Sequence, residues 1–263
     1  MTEVASDQSD DSTKTGCVDF YNSLADGYDN MTRFQSRLLT EKGVMDQWVR
    51  RFEIKSAIDA ACGTGLHAVV LAQLGVISVG VDLSASMLEQ ARSNAVAQNA
   101  EVVWVQASLE TMAGQIGGNR DAVFCLGNSI PHLLSKASLD AALKGFLRLL
   151  KNGGIAVIQL LNYERILEEK NRIVGVSRVR DTEYVRFYDF CDNMIEFNVL
   201  TINWDREKVE HSLTSTELYP YRADELTEAV RNAGFSEVRT HGDMHFADYV
   251  PNKSDDLVVV AVK

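Results

Sequence analysis

The run Ile54-Lys55-Ser56-Ala57-Ile58-Asp59-Ala60-Ala61-Cys62-Gly63-Thr64-Gly65 decides how the rest of the chain reads. Its apolar residues give way to small ones, so it reads as a strand entering a glycine-rich turn. Leu66, Val69, Val70, Leu71 and Leu74 then recur at helical spacing, and Gly75 stands where a C-cap is expected. A strand, a tight turn and a helix start let a nucleotide-like ligand lie against bare backbone, which bulky side chains would prevent. The next apolar run, residues 77–81, ends in Asp82, placed where a carboxylate can accept both hydroxyls of a ribose. The plainer alternative is an ordinary β–α turn followed by a surface Asp. Glycines, acid and spacing occurring together favour the ligand.

The chain of 263 residues has room for one large domain, or one with an inserted subdomain. Apolar residues make up 46% and charged residues 24%, the balance of a soluble globular protein. A net charge of −11 argues against a nucleic-acid backbone as the main partner. Cys17, Cys62, Cys125 and Cys191 show no CxxC spacing, no signal peptide or membrane-length apolar run is visible, and a reducing, cytoplasmic setting is expected. Nothing in the sequence opposes assembly into a homo-oligomer.

Residues 1–15 are mostly Ser, Thr, Asp and Gln with little to bury, so a disordered tail is expected. A helical cover follows over 16–52, through Phe20, Tyr21, Leu24, Tyr28, Met31, Phe34, Leu38, Val44 and Trp48. An α/β series comes next. The strand at 77–81 precedes a helix at about 84–98, capped at Ser84 or Ser86. Strands at 101–106 and 122–126, a helix at about 138–150, a Lys151-Asn152-Gly153-Gly154 turn and a strand at 155–161 continue it. This alternation calls for a doubly wound, mostly parallel sheet. From about 173 to 219 it is interrupted by three polar–apolar stretches (183–190, 194–204 and 208–219), read as an antiparallel lid over the active edge. A helix at 223–233 and strands near 237–241 and 257–262 close the chain.

Gly63, Gly65 and Ala68 satisfy the G-x-G-x-x-G/A spacing of dinucleotide dehydrogenases, so an NAD(P)-dependent oxidoreductase is one reading. Against it stand Asp59 at the strand end, which suits a cofactor bearing an ammonium group, and the helical cover ahead of the first strand. Three segments in order, Asp59 to Gly65, Asp82-Leu83-Ser84-Ala85-Ser86-Met87-Leu88 and the Lys151 to Gly154 turn, resemble the class I S-adenosylmethionine-dependent methyltransferases. Within that class, Cys125-Leu126-Gly127-Asn128-Ser129-Ile130-Pro131-His132-Leu133, Asn162-Tyr163-Glu164-Arg165-Ile166-Leu167 and Glu217-Leu218-Tyr219-Pro220-Tyr221 resemble the glycine/sarcosine N-methyltransferase group.

The resemblance implies a seven-stranded Rossmann-like sheet with its last strand antiparallel, S-adenosyl-L-methionine as cofactor, and a small-molecule acceptor. Gly63, Gly65 and Ala61 would line the cofactor wall, Asp82 would hold the ribose, and Leu83, Met87, Ser108 and Leu109 would lie near the adenine. Leu126 would offer its carbonyl to the methionine portion. Tyr21, Tyr28 and Arg37 match lid positions, Arg37 facing the cofactor carboxylate; helix packing is the competing role for the two tyrosines. Asn128 and His132 follow the fourth strand, at the edge where open α/β sheets bind ligands, and are the candidate catalytic residues. For His132 the alternative is a capping role. Leu161 departs from the resemblance, because the glycine-methylating enzymes carry there an arginine that pairs with the substrate carboxylate. Tyr184, Arg186 and Tyr188 share one face of a lid strand and either meet the acceptor or pack on the core. The aromatic pair there would suit a cationic amine. No His/Cys set demands a metal. Nitrogen is the favoured acceptor atom. O-methyl transfer and a non-catalytic cofactor-binding protein stay open beside it.

Overall fold

The computed structural model describes residues 7–205 and 209–263, with side chains described from Gly16 onward. Five strands follow the apolar runs: β1 (Ser56–Ala60), β2 (Ile77–Asp82), β3 (Val102–Gln106), β4 (Arg120–Cys125) and β5 (Leu150–Leu161). Their parallel pairing needs crossover connections. Helices α3 (Leu66–Gln73), α4 (Ala85–Ala97) and α5 (Lys136–Leu149) lie between successive strands of the series, and α7 (Ala223–Asn232) precedes β10 (Glu237–His241). The sheet order is β10-β11-β5-β4-β1-β2-β3, and β11 (Asp256–Val262) runs antiparallel to both its neighbours. The doubly wound sheet expected from the alternation is therefore present, with the seven strands and reversed last strand that the resemblance implied.

Strand alternation sends side chains to two apolar layers. Ile58, Ala60, Val123, Ile158 and Val259 meet α5 and α7 on one face, through Leu143, Phe146 and Leu226. Ala57, Phe124, Val157 and Val258 meet Val70 and Leu71 of α3 and Met45 and Trp48 of the cover on the other. The cover is two helices, α1 (Asp7–Thr32) and α2 (Phe34–Arg51), broken at Arg33, whose φ of 58° is left-handed. The tail expected over 1–15 overlaps α1 from Asp7 onward, and residues 1–6 lie outside the described residues. Of the two candidate caps for α4, Ser84 is the one used, accepting the Met87 N–H.

The lid has four strands where the polar–apolar pattern suggested three. They are β6 (Ile173–Val179), β7 (Thr182–Cys191), β8 (Met194–Asn203) and β9 (Glu210–Leu218), paired in sequence order as an antiparallel meander. The unexpected β6 contains Gly175, a poor strand former. Its missing side chain makes room for Arg186 on β7, since a Cβ there would fall 2.8 Å from the guanidinium. The turn expected at Asp205-Arg206-Glu207 and the start at Lys208 lie partly outside the described residues. Past β9, the Tyr219 N–H donates to the Pro131 carbonyl at 2.8 Å and ties the lid to the segment after β4.

Trp104 of β3 fixes how α3 and β2 approach one another. A Cβ at Gly65 would fall 2.6 Å from the indole, and one at Gly80 only 2.3 Å from it. Gly65 also holds φ at +86°, which disfavours any side chain. Gly65→Ala should therefore cost about 1–3 kcal/mol of stability, by overpacking against Trp104 as well as backbone strain. Equilibrium urea unfolding checks this, and an unchanged midpoint would contradict the packing described.

Candidate active site

The turn after β1 leaves the sheet through two left-handed residues, Ala61 (φ 59°) and Gly63 (φ 54°). The Cys62 N–H donates to the Val81 carbonyl at 2.8 Å, so the turn stays hooked to β2. Asp82, at the end of β2, then joins the two loops. One carboxylate oxygen accepts the Gly63 N–H at 2.7 Å and the other the Ser84 N–H at 2.9 Å. Burial raises the Asp82 pKa, and those same N–H bonds oppose the rise. A carboxylate offers about four acceptor sites, so Asp82 can still accept a hydroxyl from a ligand.

A cavity of about 170 Å³ opens beside this turn, walled by Ala61, Gly63, Asp82, Leu83, Ser108, Leu109 and Leu126. A Cβ on Gly63 would meet nothing nearer than the Tyr28 ring at 3.9 Å, so the hollow is bare main chain on that side. Helix α1 roofs it with one stripe, Cys17, Tyr21, Tyr28 and Thr32, at offsets of 4, 11 and 15 residues. Arg37 and His67 also reach the cavity. Glu41 links them: it accepts from Arg37 Nε at 3.2 Å and Nη2 at 2.9 Å, and its other oxygen lies 3.3 Å from His67 Nε2. Burial would raise the Glu41 pKa, but His67 and Arg37 outweigh it and hold the carboxyl at about 2.

A second cavity of about 220 Å³ adjoins the first and shares Tyr21, Tyr28, Thr32, Gly127 and His132 with it. Phe20, Leu24, Met31, Leu161, Val174, Arg186, Tyr188, Phe197 and Leu218 also line it, with the polar Asn128 and Gln159. At the junction His132 Nε2 is 2.8 Å from the Tyr21 hydroxyl, and Nδ1 is 3.5 Å from Cys17 Sγ. Burial lowers the His132 pKa to about 4 and pushes the Cys17 thiol up to about 12, so both are neutral near pH 7. Burial keeps the Tyr21 phenol protonated as well. With the ring proton on Nδ1, Nε2 accepts from Tyr21.

Residues 57–154 match the model of a methyltransferase domain. Among curated proteins, the chain is similar to a glycine/sarcosine/dimethylglycine N-methyltransferase of Actinopolyspora halophila, 28% identical over 249 residues. That match covers 93% of this chain but 42% of the relative, so the chain spans less than half of it. A glycine/sarcosine N-methyltransferase of Aphanothece halophytica is 27% identical, with 93% of this chain and 90% of the relative covered. A solved S-adenosylmethionine-dependent methyltransferase from Clostridium acetobutylicum superposes with a TM-score of 0.78 at 16% identity, over 92% of this chain and 98% of that one. Residues 57–154 thus carry a methyltransferase domain, on a fold shared with solved S-adenosylmethionine-dependent methyltransferases. S-adenosyl-L-methionine, the cofactor the sequence resemblance implies, is the one named for solved neighbours of this fold.

The methyltransferase gathers most of the residues singled out in its sequence around that first cavity. Tyr21, Tyr28, Arg37, Ala61, Gly63, Asp82, Leu83, Ser108, Leu109, Leu126 and His132 all line it. The bare wall at Gly63 and the acceptor oxygens of Asp82 fit a nucleoside. Four residues line neither cavity. Asp59 is 1% exposed and accepts the Ala68 N–H at 2.9 Å, so it braces the start of α3 instead of facing an ammonium group. Burial raises its pKa to about 6. Gly65 faces Trp104, and Met87 is buried in α4. Tyr184 packs under α1 against Phe20, Leu24 and Met31, where Gly27 leaves room for its hydroxyl.

Asn128 borders the second cavity, but its side chain is engaged. Its carbonyl oxygen accepts the Leu161 N–H at 3.1 Å, and its amide donates to the Tyr163 hydroxyl at 2.9 Å. With a φ of +67° it shapes the loop after β4, so presenting its carbonyl to an amine is not its main engagement. The Leu126 carbonyl likewise already accepts from Ser129 at 2.9 Å. Cys17, and Glu41 and His67 beside Arg37, were missed from sequence. The spacing of Cys17 and Tyr21, and of Arg37 and Glu41, four residues apart, was the available signal.

Asp82→Ala should weaken S-adenosylhomocysteine binding at least about tenfold, the scale of one charge-assisted hydrogen bond. Calorimetric titration reads this, and unchanged affinity would remove Asp82 from the ribose. For His132, the folded imidazole should stay neutral down to about pH 4, against an ordinary 6.5. Between those values the unfolded chain binds the proton and the folded one does not. Its contribution to stability is therefore complete above pH 6.5 and lost as pH falls toward 4. NMR titration of the ring nitrogens checks the value; protonation near 6.5 would show a solvated ring.

Proposed function

We propose that this methyltransferase acts on the nitrogen of a small-molecule amine. The observation that carries this reading is the position of His132, neutral and bonded to Tyr21, on the wall shared by the two cavities. The relatives whose names specify N-methylation of glycine and sarcosine support the same acceptor atom. When bound, the donor supplies a methyl already activated on a sulfonium. The chain's part is then alignment, exclusion of water and control of the acceptor's proton.

An amine must be neutral to present its lone pair. Phe20, Leu24, Met31, Val174, Phe197 and Leu218 give the second cavity an apolar wall, which favours the uncharged amine over the ammonium. The Arg186 cation in the same wall adds to that preference. The remaining amine N–H then has the His132–Tyr21 pair as an acceptor of its hydrogen bond. A nitrogen held this way points its lone pair away from the pair. His132, held near a pKa of about 4 by burial, is a weak base, so it orients the nitrogen more than it removes a proton.

Transfer of labelled methyl from S-adenosylmethionine to a panel of primary and secondary amines, alcohols and phenols tests the reading. Label should appear on amines. Label confined to hydroxyl acceptors would overturn it. Tyr21→Phe should lower kcat about tenfold, one hydrogen bond's worth, with a smaller change in S-adenosylhomocysteine affinity. An unchanged kcat would dissociate the Tyr21–His132 pair from the transfer site.

A further inference from the structure

The second cavity holds one charged side chain among the described residues that line it, and that side chain is a cation. Arg186 reaches it from lid strand β7. Its Nε is buried without a hydrogen-bond partner, and among the described residues no carboxylate lies within ion-pair distance of it. The acids nearest in sequence are otherwise engaged: Glu183 accepts from Trp204, and Asp189 pairs with Arg172. The guanidinium rests over Gly175, the residue whose lack of a side chain admits it. Burial raises the pKa of the Tyr28 and Tyr188 phenols, one from the roof and one from the lid, and the nearby Arg186 charge opposes that rise.

An arginine with a buried, unpaired donor in an aromatic and aliphatic wall is costly unless something completes it. No carboxylate lines the cavity to balance an incoming cation, so the arrangement does not suit a quaternary ammonium. It suits an anion, and the planar guanidinium fork matches a carboxylate. Leu161 borders the same space and offers no charge of its own. Around Arg186 the wall is mostly apolar, through Leu24, Met31, Val174, Phe197 and Leu218. That lining exceeds what the smallest amino acid could cover.

We infer that Arg186 is the anion-binding contact of the acceptor site, and that the acceptor is an amine joined to a carboxylate through an apolar body. The inference rests on the amine-methylating reading and names its substrate class. In this placement the carboxylate meets the lid while the nitrogen lies toward His132 and Tyr21. The lid thereby selects the acceptor.

The test uses the full chain loaded with S-adenosylhomocysteine, titrated with phenylacetate and with phenylacetamide, which share a body and differ in charge. Ligand-observed NMR or calorimetry reads the affinities. Phenylacetate should bind at least about tenfold more tightly, the scale of a charge-assisted hydrogen bond. Arg186→Gln should erase that difference, and Arg186→Lys should retain part of it. S-adenosylhomocysteine titration of each variant verifies that it is folded. Equal affinity of the wild-type protein for the two probes, no binding of phenylacetate, or a preference surviving in Arg186→Gln would overturn the inference. Failure of methyl transfer to every amine sinks the earlier reading instead, because the probe titration reads Arg186 without turnover.

Discussion

The carboxylate of Asp82 holds the wall of the first cavity together. Its two oxygens take backbone N–H groups from separate loops, Gly63 after β1 and Ser84 after β2. Those bonds offset the cost of burying an acid and set the distance between the two turns. Ser84 extends the link: its hydroxyl caps α4 and lies 2.6 Å from Asn22 of α1. One carboxylate thus locates the glycine turn, a helix start and, through that helix, the roof of the site. The left-handed backbone at Ala61 and Gly63 is the conformational cost of aiming an N–H at it.

Helix α1 performs two tasks on adjacent stripes. Tyr21 and Tyr28 close the first cavity, while Phe20, Leu24 and Met31 pack against Tyr184 and Val199 of the lid. Asp29 adds polar bonds to Gln90 and Asn94 of α4, at 3.0 and 2.8 Å. Because both cavities share residues of this one helix, a shift of α1 would alter the two cavities together. The segment after β4 is held from the opposite side. Tyr219 binds the Pro131 carbonyl and the Tyr221 hydroxyl binds that of Leu133, so the end of the lid brackets His132.

How far the site could be read ahead of the structure depended on the kind of interaction. The glycine turn, Asp82 and the run from Leu126 to His132 are local motifs whose chemistry is set within a few residues, and they meet at one cavity. Asp59 looked available to a ligand because strand alternation does not say what covers a strand end. The start of α3 covers it, and the Ala68 N–H takes its charge. Gly65 looked like part of the same bare wall as Gly63, but Trp104, some forty positions later, occupies its side. In the lid, alternation correctly put Tyr184, Arg186 and Tyr188 on one face. It could not tell that Tyr184 would meet α1 while the other two met a cavity.

The sequence by itself determined the doubly wound sheet, the inserted antiparallel layer and the glycine-rich turn after β1. Periodicity, glycine and capping act over spans of a few residues and need no distant partner. The tertiary structure alone decided which polar groups stay available. Whether a buried acid, phenol or guanidinium is already paired depends on residues far apart in the chain: Asp59 finds a helix start, His132 finds Tyr21, and Arg186 finds no carboxylate among the described residues. Desolvation makes that distinction matter, since a paired polar group is spent on the fold and an unpaired one is free for a ligand.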